Sequence, residues 1–220
     1  MGPTSAPELV AMMLADSRFP SGGFAQSGGL EAALRAGLED VPAYARGRLR
    51  TVAGVDAGTA VVARHRARFG LDLAPVADAW AARTPSRRLR ETARETGRGY
   101  LRLAGRLWPD TLAHLDARRP HPRPVVVGVV AAVTGLHSHQ VARLVGYDDV
   151  QTVCSAALKL VPLDPADVAG WALSLHQDVE AMVRSVAGLT DPDDIPDHGA
   201  PMVDAHAEAH ARAEMRLFRV

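Results

Sequence analysis

One cysteine, Cys154, and one lysine, Lys159, are all that this chain of 220 residues holds of either type. A lone cysteine excludes an internal disulfide and suits a reducing compartment, so a cytoplasmic protein is expected. A lone lysine argues against a P-loop, whose glycines work with a Lys-Ser or Lys-Thr pair, because Lys159 stands far from both Gly-Gly pairs of the chain. Aromatic residues make up only 5% of the sequence, and 25 basic side chains balance 25 acidic ones to a net charge of +0. The arginines are spread among acids, so the footprint of a nucleic-acid binder is missing and no such partner is expected. No stretch approaches the roughly 20 apolar residues that cross a bilayer, and no membrane partner is expected either. Met1 to Pro7 sets no basic group ahead of an apolar segment with a cleavage site, which is not the pattern of a secretory signal.

What the chain does have is helical periodicity over nearly its whole length, at 47% hydrophobic residues. Pro7 to Ala15 predicts a short apolar helix, and Leu30 to Leu38 another, broken by Gly37 and Asp40. Val41 to Phe69 predicts one long alanine-rich helix through Leu49, Val52, Val55, Ala60, Val61 and Val62. Asp72 opens a helix through Trp80. Thr84-Pro85 supplies an N-cap and a first-turn proline, followed by Leu89, Ala93, Gly97, Tyr100, Ala104 and Trp108 at helical spacing. Pro120, Pro122 and Pro124 mark a linker. The valine run Val125 to Val133 fits a buried strand or a buried helix; with no second strand to pair with, helix is the expectation. Two short helices are expected after it, one from Ser138 and one from Asp149 to Leu160. Asp164-Pro165 then caps a helix whose apolar stripe runs Val168, Trp171, Ala172, Leu175, Val179, Met182, Val183 and Val186. Aspartates, prolines and a glycine make residues 190–201 a mobile loop, and Met202 to Val220 is helical by propensity. With no repeat period, the expected fold is all-α: an irregular helical bundle forming a single domain over residues 1–220.

The densest cluster of special backbone residues is Ser17 to Glu31, which reads Ser-Arg-Phe-Pro-Ser-Gly-Gly-Phe-Ala-Gln-Ser-Gly-Gly-Leu-Glu. Its glycine pairs permit positive φ or close backbone approach and Pro20 sets a turn, so the segment has a defined shape. It lacks the strand and the G-x-G-x-x-G spacing of a dinucleotide site. Ser21 and Ser27 lack the G-x-S-x-G turn of a hydrolase nucleophile. Cys154 falls within an amphipathic helix as a small buried hydrophobe. Among nine histidines, His206 and His210 lie four apart on one helix face, where two imidazoles would suit nickel but leave a site incomplete. The plainer reading is a solvated helix with two surface histidines. His137 and His139 flank Ser138 at a helix start, where local hydrogen bonding accounts for them. At the C-terminal end, Leu217 and Phe218 sit between Arg216 and Arg219. They either pack on their own bundle or leave apolar and arginine anchors for a partner.

These motifs resemble those of the urease accessory protein UreF family. The glycine loop resembles the family's N-terminal signature. Ser86 to Gly97 resembles its arginine-rich helix, Val150 to Leu163 with its Lys-Leu-Val-Pro-Leu ending resembles a later helix, and Glu214 to Phe218 resembles its Arg-Leu-Phe tail. Two features depart from the pattern: Asp164-Pro165 stands where the family commonly has Gly-Gln, and Val220 directly follows Arg219. The resemblance implies a non-enzymatic, all-helical assembly chaperone, usually a homodimer, with no cofactor of its own and nickel only in transit. Its implied partners are the accessory protein UreD or UreH, the GTPase UreG and apo-urease. The implied partner-binding residues are Phe19, Pro20, Gly22, Gly23, Phe24, Gln26, Ser27, Gly28, Gly29 and Glu31 in the loop, and Arg216, Leu217, Phe218 and Arg219 in a tail spanning residues 202–220. A nickel carrier using His206 and His210 is the alternative.

Overall fold

The computed structural model describes residues 6–16, 19 and 26–212, with side chains through Glu208. Among them lie eleven α-helices and no strand: α1 (Pro7–Ala15), α2 (Leu30–Arg35), α3 (Val41–Arg50), α4 (Val52–Arg68), α5 (Ala74–Ala82), α6 (Arg87–Leu107), α7 (Arg123–Thr134), α8 (Ser138–Leu160), α9 (Pro165–Ser174), α10 (His176–Val186) and α11 (Pro201–Arg212). The valine run is helix α7, as its lack of a pairing partner required, and most of its residues are fully buried. α4 is the axis of the bundle. It lies against α7 and α8, with α6 packed on α7 and α10 on α8. Its alanines and glycines keep the outline narrow enough for neighbours to approach closely: a Cβ on Gly128 of α7 would stand 2.3 Å from the carbonyl oxygen of Ala60.

Four boundaries depart from the sequence expectation, each for a packing reason. The helix expected from Val41 to Phe69 breaks at Thr51 (φ −123°, ψ −98°), so that α3 turns away to lie on α8 and α10 while α4 enters the core. The two helices expected across Ser138 to Leu160 are one. Gly146 does not end it but makes room for Met182, whose Cε would be 2.7 Å from a Cβ there. The stripe from Val168 to Val186 is divided at Leu175, fully buried at the junction of α9 and α10. The cap of α6 is Ser86 and not Thr84; the Ser86 hydroxyl accepts from the Leu89 amide at 3.2 Å, while Thr84 donates to the Trp80 carbonyl. Asp164 caps α9 as expected, accepting from the Ala166 amide at 2.8 Å. His137 and Gln140 form a capping box on α8.

Residues 190–201, read from composition as a mobile loop, contain a 3₁₀ turn at Pro192–Asp194. Ile195 is buried there, and Arg83 donates to the carbonyls of Ile195 at 2.8 Å and Asp193 at 2.9 Å. The segment expected as a tail begins as α11, which buries Val203 and Ala207 and packs on α2 and α6. The apolar packing therefore continues beyond Val186, where the sequence stripe ends. Among the described residues no helix is long and apolar enough to cross a membrane.

Candidate functional site

The described half of the glycine loop is braced from behind by two side chains of α3. Gly28 (φ +60°) and Gly29 (φ +82°) both occupy the left-handed region, which an L side chain enters only with strain. Gly29 is the N-cap residue of α2. Tyr44 Oη and Arg48 Nη1 both donate to the Gly28 carbonyl at 2.7 Å, and a Cβ on Gly29 would stand 2.8 Å from Tyr44 Oη. The glycines serve two purposes here: they supply the dihedral angles and they leave space for the bracing phenol.

Arg48 is itself held by Asp149 of α8, to which it donates through Nε and Nη2. Their side chains are 7% and 13% exposed, so this is a buried two-pronged pair. Burial alone would pull the guanidinium pKa down, but Asp149 and then Tyr44 reverse the effect and carry it above its ordinary value. Beside it, Arg123 at the start of α7 pairs with Asp148 at 2.8 Å. Asp56, the one charged residue in the first half of α4, accepts from Trp80 Nε1 at 2.8 Å. These groups surround a cavity of about 120 Å³ lined among others by Gln26, Gly28, Arg48, Asp56, Trp80 and Arg123.

Burial pushes the Asp56 carboxyl up to about 6, against the pull of the Trp80 hydrogen bond and of Arg123, with Asp149 raising it and Arg48 lowering it further. Unfolded, the same carboxyl ionises near pH ~3.9. The folded chain therefore holds this proton more tightly, so the stability that Asp56 contributes is full at low pH and lost as pH rises through about 6. Asp56→Asn retains an acceptor for Trp80 and removes the buried charge. Its melting temperature should exceed that of the wild type at pH 8, with the gap closing as pH falls toward the unfolded pKa. A gap independent of pH would show that the carboxyl is not shifted by burial.

Phe19 is partly buried, its ring tilted 56° against Tyr100 with centroids 5.6 Å apart. Gln26 faces the cavity. Ser27 is fully buried, its hydroxyl without a hydrogen-bond partner among the described residues. Glu31 is buried and receives Arg35 Nη2 at 2.7 Å. Pro20, Gly22, Gly23, Phe24, Arg216, Leu217, Phe218 and Arg219 lie outside the described residues. His206 sits on the inner side of α11, its Cβ 3.9 Å from the place a Gly29 Cβ would take, with Nδ1 buried and without a hydrogen-bond partner among the described residues. The side chain of His210 is outside the description, and among the described residues no three His, Cys, Asp or Glu side chains converge as a metal site.

α11 is clamped in place by Glu208, whose Oε1 accepts from the Ser86 hydroxyl at 2.6 Å and from the Arg88 amide at 3.1 Å at the start of α6. A carboxylate there meets the positive end of the α6 dipole. Tyr44, Arg48, Asp149, Asp56 and Glu208 were not singled out from sequence. Asp56 did carry a signal, a lone charge within the apolar run Val52 to Val62.

A family model described as UreF matches residues 36–176. The chain belongs to the UreF family. It is 37% identical over 211 residues to the urease accessory protein UreF of Mycobacterium sp. (strain JLS), covering 94% of this chain and 96% of that one. It is 35% identical over 214 residues to the UreF proteins of Mycobacterium bovis (strain BCG / Pasteur 1173P2), covering 95% of this chain and 97% of that one, and of Mycobacterium marinum (strain ATCC BAA-535 / M), covering 94% and 96%. The family match spans the bracing elements, including Tyr44, Arg48, Asp56, Arg123 and Asp149. The curated relatives also extend over most of the rest of the chain, and with them an accessory role in urease maturation follows.

Proposed function

We propose that this protein is a non-enzymatic assembly chaperone that helps nickel enter apo-urease in the cytoplasm, acting as a homodimer that bridges UreD or UreH, the GTPase UreG and apo-urease. The observation that carries the reading is the placement of α11 against α2, with His206 beside Gly29. The glycine loop and the helix that leads into the C-terminal residues thus belong to one face. Rigidity supports the same reading: a loop whose carbonyl is held by two donors, one buried and one partly buried, is formed before any partner arrives, which lowers the ordering cost of association. In this reading Gly28, Gly29 and Gln26 present the loop, and Arg216, Leu217, Phe218 and Arg219 supply the anchors.

Removing residues 213–220 should leave a bundle that melts near the wild-type temperature but no longer retains purified UreD or UreH in a pull-down, abolishing urease activation. Undiminished retention would refute the interface role, whereas loss of folding would place those residues in the core. The buried Nδ1 of His206, without a partner among the described residues, favours the second reading, a nickel carrier. Tight nickel binding by the isolated protein that is lost in His206→Ala would decide for it.

A further inference from the structure

Helix α6 gathers on one side the arginines that look dispersed in the sequence. Its 21 residues include seven arginines and two glutamates, and its buried side is Thr92, Gly97, Tyr100, Leu101 and Ala104. Arg94, Arg98, Arg102 and Arg106 recur at four-residue spacing, so each stands about one turn beyond the last, in a ridge roughly 18 Å long. Arg98, Arg102 and Arg106 are exposed and Arg94 is half-buried.

Other arginines of the bundle are engaged by the fold. Arg46 meets Asp178, Arg48 meets Asp149, Arg123 meets Asp148, and Arg87 meets Glu91 on α6 itself. Among the described residues the four ridge arginines take part in no ion pair or hydrogen bond, and Glu95, exposed beside them, pairs with none of them. Like charges four residues apart destabilise a helix. The fold therefore carries a repulsive row that no ion pair among the described residues offsets, in a chain whose net charge is +0.

We propose that the outward ridge of α6, formed by Arg94, Arg98, Arg102 and Arg106, is a docking surface for a carboxylate-rich face of a partner protein. Charge complementarity selects the occupant: guanidinium groups present paired donors that match carboxylates, and a one-turn repeat matches acids spaced four apart on a partner helix. A nucleic acid fits less well, since the domain is not basic overall and the only aromatic residue of α6, Tyr100, is buried away from the ridge. A lipid surface would need an apolar side to insert, and that side of α6 is already committed to the bundle.

The inference rests on the assembly reading only in requiring a protein partner, and one experiment separates the two. Wild-type chain and Arg98→Glu/Arg102→Glu are each co-expressed with the urease subunits and the other accessory proteins, then purified and melted. Charge reversal is expected to cut the co-purified assembly roughly tenfold or more at low salt, while the melting temperature holds or rises because repulsion is relieved. Wild-type protein that retains no urease component removes the assembly reading itself. Wild-type and reversed chains retained equally refute the ridge alone, and a sharply lowered melt would assign these arginines to the fold. As a direct probe, a helical peptide with glutamates four residues apart should bind the wild type in a salt-sensitive way and the reversed chain weakly. Tighter binding to an RNA duplex or to phosphatidylserine vesicles than to that peptide would overturn the choice of occupant.

Discussion

Arg48→Ala is expected to lower the melting temperature by roughly 6 to 20 °C. Removing one partner of a buried ion pair costs about 3–5 kcal/mol because the other charge is left uncompensated, and each kcal/mol shifts the melt by about 2–4 °C in a chain of this size. Asp149 would be the abandoned charge, at 13% exposure, and the Gly28 carbonyl would lose one of its two donors. Arg48→Met combined with Asp149→Leu should be much less harmful than the sum of the two single changes, since an apolar pair of similar volume often replaces a buried ion pair at little cost. The loop distinguishes the variants in a second way. With Arg48 gone, Gly28 is held by Tyr44 alone, so partner binding should remain impaired in the double variant even where stability recovers. Thermal melts of the wild type, Arg48→Ala, Arg48→Met, Asp149→Leu and the double variant check these expectations. A single Arg48→Ala variant within about 1 kcal/mol of the wild type would show that the pair is not desolvated as its burial implies.

Gly128→Ala is expected to destabilise the protein although it adds a single methyl group to a helix, where alanine is the better helix former by about 1 kcal/mol. The added carbon would meet the Ala60 carbonyl oxygen at 2.3 Å, the Ala63 Cβ at 2.7 Å and the Arg64 amide nitrogen at 3.0 Å. None of these is the far end of a flexible side chain, so α4 and α7 must move apart. Overpacking of this kind costs typically about 1–3 kcal/mol and more where backbone has to shift. Because α7 also supports α6, the loss should appear as one cooperative transition at lower denaturant concentration. A comparison makes the assignment specific: Gly99→Ala on α6, where an added Cβ would meet nothing within 4 Å, should be neutral or stabilising. Equal effects at the two sites would refute the close-approach argument.

Periodicity identified the helices because the core is built from their stripes, and those stripes are local properties of the chain. Leu89 to Trp108 and Val168 to Val186 were legible for that reason, as was α7, whose valines could not be a strand without a second strand to pair with. The boundaries were less legible. Thr51 and Leu175 are ordinary helix residues, and the chain breaks at them because the elements on either side face different neighbours. The two helices expected across Ser138 to Leu160 are one, with Gly146 of that helix set against Met182. In each case the deciding atom lay on a distant element.

The candidate site divides along the same line. Sequence alone determined that this is an all-α chain of the UreF family with a shaped loop containing Gly28 and Gly29, since the special backbone residues and helix caps act within a few residues of themselves. Tertiary structure alone decided what holds that loop. Tyr44 and Arg48 come to Gly28 from 16 and 20 residues away, and Asp149 comes to Arg48 from 101 residues away. Pairing across such separations depends on how helices cross, and an arginine or an aspartate looks the same in sequence whether it will face water or its buried counterion. The ridge on α6 shows the converse. The spacing of its arginines is a local fact, but that no acid among the described residues pairs with them is known only once the other helices have their places.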